Sequence, residues 1–89
     1  MSNIGVLPLY KREQWKDWQA ICKDMSSSFD VWLQHHRQML QDFRARGLTV
    51  HAVEIDFQAY VAWIDSEDLT INGDTRNRFA IKTYQDANV

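Results

Sequence analysis

The stretch Phe29–Gly47, FDVWLQHHRQMLQDFRARG, decides how this chain is read. Phe29, Trp32, Leu33, His36, Leu40 and Phe43 fall at i, i+3, i+4, i+7, i+11 and i+14. That is one continuous apolar stripe at helical period, with a histidine inside it. Arg44 and Arg46 occupy the last turn, where cations favour the helix dipole. Gly47 is the expected C-terminal stop. Ser26, Ser27 and Ser28 precede the stripe and offer an N-cap. The expectation is an amphipathic helix over Phe29–Arg46.

Downstream, Leu48 to Ala52 alternates apolar and polar, and Val53 follows, which reads as a strand. Asp56 reads as an N-cap, with Ile55 and Tyr60 at the positions of a hydrophobic staple. The third helix is expected over Phe57–Ser66, with Phe57, Tyr60, Val61 and Ile64 facing inward. An acidic loop, Glu67–Gly73, leads to Asp74 as cap of a fourth helix, Thr75–Gln85, whose inner positions are Phe79, Ala80 and Tyr84. Upstream, Trp15, Trp18, Cys22 and Met25 recur at helical spacing and give a first helix over Arg12–Met25. Ile4–Tyr10 is extended, and Pro8, lacking an N–H, confines it to an edge strand or arm.

The fold class is therefore α+β and mostly helical: four helices with a short two-stranded element, in the order β-α-α-β-α-α. If the first two helices form an antiparallel hairpin, the strands run antiparallel. Two strands alone are marginal in water. They must pack on the helices, or pair with another copy through Leu48–Val53.

A chain of 89 residues without linkers or repeats is expected to form a single small globular domain, residues 1–89. A net charge of −2 argues against bulk attraction to nucleic acid or anionic lipid. The four Trp, three Tyr and four Phe supply large rings suited either to a small core or to an interface. Cys22 has no partner cysteine, so no internal disulfide forms. With no signal-like N-terminus and no apolar run long enough to span a bilayer, a cytoplasmic address is expected.

Few residues suggest chemistry. Cys22, His35, His36 and His51 lack zinc-type spacing, and adjacent helical histidines point about 100° apart, so no metal or cofactor is expected. His36 reads as a hydrogen-bonded core histidine. Asp65, Glu67, Asp68 and Asp74 lack the glycine and closing Glu of a calcium loop. Cys22, on the tryptophan face, reads as an inert small hydrophobe. His51 and Glu54 fall on opposite faces of a strand, and Asp56 already has a capping role, so no catalytic pair emerges.

What remains is surface. Val31, His35 and Met39 follow i, i+4, i+8, a second stripe about 110° around the helix from the first. Trp63 is similarly displaced from the inner face of the third helix. The reading is a non-enzymatic protein-binding module, a small regulator, inhibitor or adaptor, using Val31, His35, Met39 and Trp63 against a protein partner or a second copy of itself. The alternative is a nucleic-acid-binding regulator that gathers Arg37, Arg44, Arg78 and Lys82 into a patch, with Arg76 pointing elsewhere. Asp42, Asp74 and Asp86 favour a solvated face over that patch.

Overall fold

The computed structural model describes residues 4–25 and 28–87. Two strands, β1 (Ile4–Tyr10) and β2 (Thr49–Ile55), combine with four helices, α1 (Trp15–Ile21), α2 (Phe29–Ala45), α3 (Phe57–Ser66) and α4 (Gly73–Ala87). A 3-10 turn, Arg12–Gln14, leads into α1. The class and element order are those expected from the sequence.

The strands are parallel, not antiparallel, with Ile4 opposite Thr49 and Tyr10 opposite Ile55. The correction follows from the length of α1. That helix stops at Ile21, well short of Met25, because Cys22 is already extended at φ −118° and ψ 102°. Seven residues make only two turns. The 17-residue α2 alone therefore carries the chain back to the start of β1, and the chain reverses twice, into α2 and out of it, which makes the strands parallel.

The helix ends follow local chemistry. Ser28 Oγ accepts from Val31 N–H at 3.1 Å, and Asp56 Oδ2 accepts from Ala59 N–H at 3.0 Å. Ser26 and Ser27 lie outside the described residues. At the other end of α2, Gly47 has φ +78°, Leu48 N–H donates to Phe43 O and Gly47 N–H to Arg44 O. This is the Schellman pairing of a glycine-terminated helix. Asp68 takes the same left-handed role after α3, at φ +51°. The fourth helix departs from expectation. It starts at Gly73, and Asn72 Oδ1 rather than Asp74 caps it, accepting from Thr75 N–H at 2.8 Å.

The core gathers at the carboxyl ends of the strands. Tyr10 and Ile55, the last residues of β1 and β2, are buried beside Trp15, Trp18, Tyr60 and Ile64. Tyr10 presents its ring at steep angles to Trp15, Trp18 and Trp32 at 5.0–6.0 Å. Trp18 reaches Phe57 and Tyr60, each at 5.1 Å. Rings at these separations gain from edge-to-face geometry as well as burial. Gln14 ties the first turn to α3: its amide donates to Asp56 at 2.8 Å and its carbonyl accepts from Phe57 N–H at 2.9 Å. No helix is long and apolar enough to cross a membrane among the described residues.

Candidate functional site

The first turn of α4 carries a cation into the interior. Arg76 lies four residues before Ala80 and three before Phe79, so its side chain starts on the apolar face of the helix. It is only 6% exposed. Its Nε donates to Tyr10 Oη at 2.9 Å and its Nη2 to Asp24 Oδ2 at 2.6 Å. Asp24 is available because α1 ends early and the chain turns beneath α4. Burial works against the guanidinium charge, but the bond to Asp24 and the neighbouring Tyr10 outweigh it and hold its pKa above the ordinary value. Arg76 in turn keeps the Asp24 carboxyl below its usual range. Burial pushes the Tyr10 phenol up to about 12, and pushes the Cys22 thiol up as well, so both stay protonated at neutral pH.

His36, the one buried residue of α2, 4% exposed, lines the same cleft as Arg76. Trp32 lies against its ring at a centroid distance of 4.8 Å. Burial lowers its pKa, so the imidazole is neutral at pH 7. Two nitrogens here lack a hydrogen-bond partner among the described residues: His36 Nε2 and Arg76 Nη1. Both side chains line one open cleft of about 440 Å³, with Leu7 and Tyr10 from β1 and Trp32 and Met39 from α2.

The residues singled out from the sequence are dispersed. Val31 and Met39 are 41% and 39% exposed, and His35 is exposed beside them on α2. Trp63 is half-buried on α3, with Phe79 at 5.3 Å and Tyr60 at 6.4 Å. Its ring contacts among the described residues thus lie at the α3–α4 seam, not on α2. Arg37, Arg44 and Arg78 are exposed, and Lys82 is paired with Asp86 one turn along at 2.9 Å. Arg37 borders a shallow hollow with Asp30 and Val31 on the outer side of α2. His51 stacks on Tyr84 at 5.0 Å and is not among the walls of the His36 cleft. No three of His, Cys, Asp or Glu come together as a metal site among the described residues.

The cleft itself was not foreseen. Its signal was present in α4, where a charged residue holds a position in the apolar stripe of Phe79, Ala80 and Tyr84. Its partners Tyr10 and Asp24 lie 66 and 52 positions away, beyond any local pattern. Comparison with protein-family models, with curated proteins and with solved structures found no match.

Proposed function

We propose that this chain is a non-enzymatic protein-binding module that presents the outer face of α2 to a protein partner, with a second copy of the chain as one such partner. The observation that carries this reading is how little of α2 its own fold covers. In 17 residues only His36 is buried. Phe29 and Trp32 pack against the core cluster, whereas Leu33, Leu40 and Phe43 are half-buried outside it. Val31 and Met39 stand on the exposed side with His35. Exposed Met beside aliphatic side chains is the composition of an adaptable protein contact. Trp63 contributes through whatever part of its ring the α3–α4 seam leaves uncovered.

The non-enzymatic part draws on the two best candidates for chemistry. The Cys22 thiol is buried and held protonated, which disfavours the nucleophilic thiolate. The His51 ring is occupied by Tyr84. A cytoplasmic address is part of the same proposal, supported by an unpaired buried cysteine that suits a reducing compartment.

The test is the double variant Val31→Ser, Met39→Ser. Both positions are exposed, so stability should stay within about 1 kcal/mol of wild type. Light scattering after size exclusion, and affinity capture compared side by side with wild type, should show loss of the dimer or of the captured partner. A variant that keeps the same oligomeric state and the same partner sinks the proposal.

A further inference from the structure

The cleft between β1, α2 and the start of α4 is lined by two side chains that each carry a buried polar atom without a hydrogen-bond partner among the described residues. Buried donors are nearly always paired, so an unmet one calls for an explanation. Here two occur on different elements, Arg76 Nη1 and His36 Nε2, both closed off from solvent and both belonging to residues that line the same cleft. Neither is free to turn away. Arg76 is fixed in its plane by Tyr10 at Nε and Asp24 at Nη2. His36 is held against Trp32, and Trp32 meets Tyr10 at 5.0 Å, so one aromatic frame positions both groups.

The pattern describes the ligand. Two unmet nitrogens on different elements suit a group with two acceptor oxygens, one for the remaining guanidinium nitrogen and one for the imidazole. Asp24 already balances Arg76, and the imidazole is neutral, so the cleft favours one added negative charge over two. The opening turn of α4 adds the positive end of a helix dipole. Leu7, Trp32 and Met39 supply apolar wall. Met39, unbranched and 39% exposed, is the wall best able to move aside for a guest.

We infer that this cleft binds the carboxylate of a small organic acid, one oxygen accepting from Arg76 Nη1 and the other from His36 Nε2–H, with the hydrocarbon body against Leu7, Trp32 and Met39. The site uses the inner flank of α2 and shares only Met39 with the docking face, so it stands apart from the docking role of Val31 and His35.

The test is a nuclear magnetic resonance titration of the isotope-labelled full chain with sodium benzoate. Sodium chloride of equal ionic strength and inorganic phosphate serve as the other arms. Benzoate should give saturable shifts at the Trp32 indole N–H, the Arg76 Nε–H and the Met39 methyl, with phosphate weaker. His36→Phe keeps an aromatic ring in the same space and should weaken benzoate binding by roughly tenfold, the loss of one charge-assisted hydrogen bond. Val31→Ser, on the outer face, should bind benzoate as wild type does. The inference is overturned if benzoate shifts match those of chloride, if phosphate binds as tightly, or if His36→Phe binds unchanged. A lost partner in Val31→Ser, Met39→Ser alongside such a failure would leave the docking proposal standing and remove this one alone.

Discussion

The buried histidine and arginine show how much a single position depends on its surroundings. His36 was legible as part of the apolar stripe, because its spacing from Trp32 and Leu40 is local information. Its missing acceptor was not, because that depends on which elements come to face α2. Helical spacing points Arg76 away from Arg78 and Lys82, and it is indeed buried while Arg78 is exposed, yet its destination requires Tyr10 and Asp24 to be brought in from distant segments. The depressed pKa of His36 has a consequence for stability. Below about pH 6.5 the unfolded chain takes a proton that the folded imidazole refuses, so stability falls as pH drops through that value. Denaturant unfolding at about pH 7.5 and about pH 5.5 should show wild type losing stability on acidification. His36→Phe should lose measurably less, since it removes the group that titrates and the unmet nitrogen with it. Equal acid sensitivity in both proteins would show that His36 is not the group responsible.

At the scale of elements, starts and stops were easier to read than relative direction. The serine before α2, the aspartate before α3 and the glycine after α2 act through hydrogen bonds to residues within a few positions, so the sequence displays them. Strand direction rests instead on how far each intervening helix travels, and the tryptophan spacing in the first helix continues past the point where the backbone unwinds at Cys22. The same turn places Asp24 beneath Arg76, so the unwinding and the ion pair are one feature. Asp56 gathers more than a cap. It accepts from Ala59 N–H, from the Gln14 amide and from Lys11 Nζ at 3.2 Å. Asp56→Ala should cost about 1–2 kcal/mol, the upper part of the range for a lost N-cap. The amides at the start of α3 should also exchange faster with solvent. A cost below about 0.5 kcal/mol would mean that Gln14 alone holds this junction.

The whole molecule is flat, 36 × 32 × 19 Å, and its buried cluster lies toward one end of a two-stranded sheet. A small core built from few large rings concentrates risk. Trp18 has no exposed surface and touches Tyr10, Phe57 and Tyr60. Trp18→Ala should cost about 3–5 kcal/mol. Set against the roughly 5–13 kcal/mol that holds a domain of this size, that is enough to leave a substantial fraction unfolded at body temperature. Circular dichroism melting should register it as a large drop in midpoint. A change of only a few degrees would show that the neighbouring rings close over the gap.

Every pairing in the parallel sheet joins residues 45 positions apart. Within the sheet, β1 therefore has no strand to bond with until the chain has run 45 positions further. The seven residues of β1 wait, uncommitted, for a mate that arrives only after the long helix. Pairings this remote close slowly, because a long loop must lose its freedom before the first contact forms. Folding should thus behave as a late, concerted event, gated by the moment when the second strand meets the first.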